Sequence, residues 1–155
     1  MKKVLAVILL VAMVATLAGC GSGVKMPYNG DITFHKICLT VPTRFIRDST
    51  QSNVDTWLFE RAYYTEYLLV MRKDFEGDVA ESLQNYVRYM NGNGGNSEQI
   101  DFRDGKAVHT TYTKDDLFCQ EILFVYGDSV YAVALRGGTT EGFQEIVDTI
   151  QFADK

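Results

Sequence analysis

The sequence predicts an α+β domain in which a mainly antiparallel sheet of about six to seven strands carries two packed helices. Most of the strand-like runs are joined by short turns such as Asp104-Gly105 and Gly127-Asp128, which favour antiparallel hairpins. Two segments, 78–90 and 143–150, have apolar residues at helical spacing instead. Each helix must bury one apolar face, and the two faces of a sheet provide that cover.

The beginning of the chain is typical of an export signal. Lys2 and Lys3 precede the apolar run 4–15, which would be marginal as a permanent transmembrane helix. The next segment, "LAGC" at 17–20, resembles the bacterial lipobox, in which the cysteine receives a diacylglycerol and becomes the new N-terminus. The resemblance implies that Cys20 anchors the protein by lipid on the extracytoplasmic side of a cell membrane. An ordinary cleaved signal is the alternative.

These features divide the chain into three regions. We expect a signal peptide at 1–19, the lipidated cysteine with a flexible tether at 20–30, and a single domain at 31–155. Loss of the two lysines with the signal changes the formal charge from −5 to −7. An acidic domain argues against nucleic acid as a partner, and it should stand off an anionic lipid surface.

The first half of the domain predicts strands. Residues 31–41 alternate between apolar and polar side chains up to Pro42, as a strand with one buried face does. Residues 43–53 are loop-like, and two further strands are expected at 54–60 and 63–73. The short connection between these two strands suits an antiparallel pair.

The second half begins and ends with a helix. In the first helix, 78–90, Asp78 is the expected cap, with Glu81 three residues later, and the glycine-rich segment 91–96 ends it. Thr139 or Thr140 should cap the last helix. Four strands lie between the helices and form two hairpins, at 98–102, 106–112, 117–126 and 129–135. The last two strands are the most apolar and should be central.

Four segments of the domain resemble PsbP-like domains: "ICLTVPTRF" at 37–45, "DGKAVHTTYT" at 104–113, "CQEILFVYGDSVYAVAL" at 119–135 and "TTEGFQEIVDTIQF" at 139–152. They match the opening strand, the central meander and the closing helix. The group includes extrinsic photosystem proteins, a Ran-binding nuclear regulator and bacterial lipoproteins of the DcrB-like kind. The resemblance implies a PsbP-like fold and action through binding partners, without a shared catalytic site.

The residues that could carry chemistry are sparse. An odd offset places His35 and Cys38 on opposite faces of a strand, which makes them poor joint metal ligands. Cys119 has apolar and acidic neighbours, which raise a thiol pKa and leave the thiol inert. Cys38 and Cys119 could form a disulfide in an exported protein or stay as buried free thiols. We therefore expect no metal, no cofactor and no enzyme activity.

One aromatic set is denser than a small core requires, and its members are Trp57, Phe59, Tyr63, Tyr64 and Tyr67. Exposed aromatic side chains are common in protein interfaces, although core packing is the alternative. The sequence thus favours a non-catalytic, lipid-anchored module that binds protein partners at the cell envelope. A small-ligand-binding lipoprotein is the second hypothesis, and a thiol-dependent enzyme is the third.

Overall fold

The computed structural model describes residues 25–27, 30–61 and 65–153, with side chains described from residue 30 onward. These ranges contain eleven strands and two helices. The strands in chain order are β1 (Lys25–Pro27), β2 (Gly30–Phe34), β3 (Ile37–Val41), β4 (Phe45–Asp48), β5 (Thr56–Arg61), β6 (Tyr67–Asp74), β7 (Asn96–Phe102), β8 (Gly105–Lys114), β9 (Leu117–Tyr126), β10 (Ser129–Arg136) and β11 (Gln151–Phe152). The helices are α1 (Val79–Gly92) and α2 (Thr140–Val147).

Eight of the strands form a large sheet in the order β1-β4-β5-β6-β10-β9-β8-β7, and the other three form a small sheet in the order β11-β3-β2. All neighbouring pairs are antiparallel. Apart from the edge strand β1, the large sheet consists of two meanders, β4-β5-β6 and β7-β8-β9-β10, which meet where β6 pairs with β10. The α+β class, the antiparallel sheet and the two packed helices are confirmed.

Two apolar cores cover the two faces of the large sheet. One lies between this sheet and the layer formed by the small sheet and α2, and it contains Phe34, Phe45 and Phe124. The other lies under α1, where Leu83, Tyr86 and Met90 pack on the sheet. Because both faces are covered, β10 is buried along nearly its whole length, as its apolar sequence predicts.

The helix caps are the expected ones. Asp78 accepts a hydrogen bond from the Glu81 amide over 2.7 Å, so α1 begins where the sequence indicates. At α2 the capping residue is Thr139, whose hydroxyl accepts from the Gly142 amide over 3.1 Å. The buried face of α2 is formed by Phe143, Ile146 and Val147, so the helical spacing in the sequence identified the packed side.

The strand number is higher than expected. The segment 31–41 is a hairpin of β2 and β3, because the chain turns at His35, where φ is +54°. The buried positions change from even numbers (Ile32, Phe34) to odd numbers (Ile37, Leu39) across this turn, and that change is the sequence signal for it. Strand β4 lies within the segment expected to be a loop.

Part of the flexible tether expected at 20–30 is strand in the structure. Residues 25–27 form β1, which pairs with β4 in the register Lys25↔Asp48 and Pro27↔Ile46, and Gly30 begins β2. An edge strand is held by main-chain hydrogen bonds, which need no apolar pattern in the side chains. Cys20 and the signal segment lie outside the described residues. Within the described part, no helix is both long and apolar enough to cross a membrane.

Candidate functional site

The aromatic set does not form one surface among its described members. Phe59 is completely buried, and Trp57 is half-buried under the Arg47 guanidinium, which lies 3.9 Å from the centre of its ring. Both belong to the core that faces the small sheet, whereas Tyr67 packs on the α1 side of the large sheet. Tyr63 and Tyr64 lie outside the described residues.

The two cysteines of the domain are free thiols, so the disulfide alternative is not realised. Cys38 is half-buried on the outer face of the small sheet, and Cys119 is buried on the α1 side of the large sheet. The core between the sheets separates them. Burial raises the pKa of the Cys119 thiol, although Arg136 and Lys114 act in the opposite direction. A raised pKa leaves little thiolate at neutral pH.

We expect alkylation of the folded protein to modify Cys38 at least about tenfold faster than Cys119, because Cys119 is both buried and protonated. Mass spectrometry of peptides after brief treatment with iodoacetamide at neutral pH measures this difference. The Cys38→Ser variant is the matched control, since its Cys119 should stay unmodified until the protein is unfolded in urea. Fast labelling of Cys119 in that folded variant would support the thiol-enzyme hypothesis.

The two histidines lie in unrelated environments. His35 donates from Nε2 to the Val54 carbonyl over 2.7 Å, and Asp55 is 3.4 Å away. His109, on β8, stacks on the Phe143 ring with 5.7 Å between ring centres. Within the described ranges, no group of three or more histidine, cysteine or acidic side chains is arranged to hold a metal.

His109 lines a groove between α2 and the β7–β8 hairpin, with a volume of about 290 Å³. We call this the helix groove. The apolar side chains that line it come from both the helix and the sheet, and polar side chains form its rim. The lining residues are Ile100, Phe102, Ile122, Phe143 and Val147, with Asp101, Arg103, His109, Gln144 and Asp148. Such a mixture of apolar area and convergent polar groups is common in binding sites.

Arg103 fixes one wall of the helix groove. It lies in the turn between β7 and β8 with φ +53°, and its Nη2 donates to the carbonyls of Val147 and Asp148 over 3.2 and 2.8 Å. These carbonyls are at the end of α2, where helical partners are missing and a positive charge complements the helix dipole. The groove is thus held open by a contact between its two sides.

A second groove, of about 490 Å³, lies on the outer face of the small sheet, and we call it the sheet groove. Asp31 accepts there from the Thr40 hydroxyl over 2.6 Å, and the Thr40 amide donates to the Thr149 hydroxyl over 2.9 Å. Its charged lining residues are Asp31 and Asp148, so it favours hydrogen-bond donors or cations over anions. Asp148 also lines the helix groove, so the two grooves meet at the end of α2.

Sequence reasoning did not identify Glu121 as a buried acid, and it is the most deeply buried acid among the described residues. Glu121 is completely buried beneath α1, where its Oε1 accepts from the Tyr86 hydroxyl over 2.8 Å and its Oε2 has no hydrogen-bond partner. Burial raises the pKa of Glu121 to about 7, although the bond from Tyr86 lowers it. The feature of the sequence that could have identified this buried acid is a single carboxylate within the apolar strand "LFCQEILFVY". Glu121 lines neither groove.

Comparison with known proteins identifies the fold. The sequence matches no family model and no curated protein. A crystal structure from Bacteroides thetaiotaomicron VPI-5482 is similar, with a TM-score of 0.54, 10% identity, and coverage of 85% of this chain and 49% of that one. The present chain thus spans about half the length of that protein.

The solution structure of cyanobacterial PsbP (CyanoP) from Synechocystis sp. PCC 6803 is also similar. Its TM-score is 0.51 and its identity 13%, and the match covers 88% of this chain and 98% of that one. At these identities the likeness is one of fold alone. The chain has a PsbP-like fold, as the resemblance of its sequence implied.

Proposed function

We propose that the protein is a lipid-anchored, extracytoplasmic, non-catalytic module that binds protein partners at the cell envelope. The observation that carries this proposal is "LAGC" at 17–20, directly after a charged and apolar signal-like segment. Acyl chains on Cys20 would stabilise attachment by about 0.8 kcal/mol for each buried CH₂ group, and two or more chains hold a protein stably at a bilayer.

The grooves at the end of α2 support a binding role. The helix groove combines apolar side chains of the kind that anchor a partner with a polar rim that orients it. The contact of Arg103 with the α2 carbonyls holds this surface in place before a partner arrives, which lowers the entropy cost of binding. The raised pKa of Cys119 supports the non-catalytic part, because it is the reverse of what activates a nucleophile.

In-cell crosslinking of the full-length protein tests the binding of a protein partner, and a variant of Cys20 tests the lipid anchor. A photoreactive residue at Gln144, on the exposed rim of the helix groove, should capture the same protein partner repeatedly in the membrane fraction. The matched control is Gln84, which is exposed on α1 and outside both grooves. The Cys20→Ser variant should lose incorporation of labelled palmitate and leave the membrane fraction, whereas Cys38→Ser should retain both properties.

Each part of the proposal can fail separately. Equal membrane retention and labelling of Cys20→Ser would refute lipidation at this residue. Capture of the same proteins from Gln84 and from Gln144 would refute the helix groove as the partner surface.

A small ligand is the second candidate, and the sheet groove is the observation that favours it. Its volume of about 490 Å³ falls within the range of small-molecule sites, and its lining offers hydroxyl, carboxylate and thiol groups. A screen of melting temperature against small cationic and polar compounds decides between the two candidates. A large stabilisation by one compound that Asp31→Asn abolishes would favour the ligand over the protein partner.

A further inference from the structure

The distance between the proposed anchor and the folded domain is short. Strand β1 begins at Lys25, so only residues 21–24 lie between it and Cys20. A chain spans at most about 3.6 Å per residue, so the Cα atoms of Cys20 and Lys25 are never more than about 18 Å apart. This limit holds for every conformation of the connecting residues.

The described residues nearest to Cys20 in the chain lie at one edge of the large sheet. Strand β1 is the first strand of the large sheet, and it is held to β4 in a register that begins at Lys25↔Asp48. The opposite edge is β7, seven strand spacings away. Neighbouring strands lie about 4.8 Å apart, so the two edges are separated by on the order of 30 Å. The anchored edge is therefore confined near the lipid, and the β7 edge is not.

We propose that the domain rests with the β1–β4 edge of its large sheet toward the lipid surface and presents the β7–β8 edge, with the helix groove, away from it. This orientation rests on lipidation of Cys20, as proposed above. It adds a preferred side to the expectation that an acidic domain stands off an anionic lipid surface.

The side chains of the anchored edge are compatible with this orientation. Strand β7 carries two exposed acids, Glu98 and Asp101, and Asp101 is paired with Lys106 of β8. Strands β4 and β5 carry two bases and two acids, namely Arg47 and Arg61 with the buried Asp48 and the half-buried Glu60, and Arg61 is paired with Glu66 over 2.9 Å. The side chains of Arg47 and Trp57, stacked on each other, are of types that suit the headgroup region.

Energy transfer to the bilayer measures the orientation. We would label the lipidated, full-length protein at Thr43→Cys, beside β4, or at Gln99→Cys, in β7, both in a Cys38→Ser, Cys119→Ala background. Both positions are exposed and uncharged. In vesicles of phosphatidylethanolamine and phosphatidylglycerol with a headgroup acceptor dye, transfer from Thr43 should be at least about twofold more efficient, because the edges differ by on the order of 30 Å.

Equal transfer from the two positions, or stronger transfer from Gln99, would overturn the orientation. Failure of the labelled proteins to sediment with the vesicles would instead refute the lipid anchor, so the two failures are distinguishable. Insertion of about ten Gly and Ser residues between residues 22 and 23 should reduce the difference, because the longer chain frees the domain.

Hydrogen exchange provides a second measurement without cysteine substitutions. We expect the amides of β4 and β5 to exchange more slowly in the vesicle-bound lipoprotein than in soluble Cys20→Ser, with β7 unchanged. Protection at β7 in place of β4 would contradict the proposal.

Discussion

Replacement of Gly137 by alanine is expected to lower the free energy of unfolding by about 3 kcal/mol or more. Gly137 has φ +73°, in the left-handed region that side chains disfavour. A Cβ atom there would lie 1.9 Å from the Thr65 carbonyl oxygen, so the backbone itself must move. The Gly137 amide also donates to the Phe118 carbonyl over 2.8 Å, and the movement would strain that bond.

Gly94→Ala separates the cost of the positive φ from the cost of the close approach to the Thr65 carbonyl. Gly94 also has a positive φ, +84°, but an added Cβ would meet nothing within 4 Å. We expect it to cost only about 1 kcal/mol, the backbone part of the effect. Urea denaturation of both variants at one pH measures the difference. Equal losses would mean that the close approach at Thr65 contributes nothing.

The free energy of unfolding is expected to fall by about 3 kcal/mol as the pH rises from about 4.5 to about 7. The cause is the titration of Glu121. The pKa of Glu121 rises from its usual 4.5 to about 7 in the folded state because the carboxyl group is buried. Between these values the folded state holds a proton that the unfolded state has released. The contribution is therefore fully present below pH 4.5 and is lost as the pH rises through 7.

Glu121→Gln should remove most of this dependence and should be more stable than the wild type at pH 8, because the amide is never charged. Unfolding in urea over a series of pH values measures the effect. The difference between the two proteins isolates Glu121 from exposed groups such as Asp128, whose hydrogen bond from Ser129 lowers its pKa and acts in the opposite direction.

Tyr86→Phe is the matched control for the Glu121 experiment. It removes the hydrogen bond that favours the charged carboxylate, so the transition should move to higher pH. Parallel pH profiles for the wild type and Glu121→Gln would contradict the assignment of the effect to Glu121.

Local chemistry explains which parts of the fold the sequence predicted. The α1 cap at Asp78 and the turn at Gly127-Asp128 depend on residues close together in the chain, so their patterns are visible in the sequence. Strands β1 and β4 pair through the main chain over about 20 residues, and the side chains of so short an edge pair carry no period. Each of these two strands forms only because the other pairs with it, and no local pattern in the sequence identifies that partner.

The candidate site was harder to predict for the same reason. The helix groove exists because Arg103, in a turn, reaches the end of α2 more than 40 residues later. No spacing in the sequence indicates that contact. The aromatic set illustrates the opposite difficulty: Trp57 and Tyr67 are near each other in the chain, but the sheet separates them onto its two faces.

The junction of the two meanders determines the order in which the large sheet can fold. Each meander joins strands that are neighbours in sequence, so its loops close at low entropic cost. The junction pairs Asp74 with Ser129 and Tyr67 with Arg136, positions 55 and 69 residues apart. Contacts of such long range form slowly. The topology therefore favours two early half-sheets and a late closure, and until that closure the apolar edge of β10 is without its partner strand and open to association with another chain.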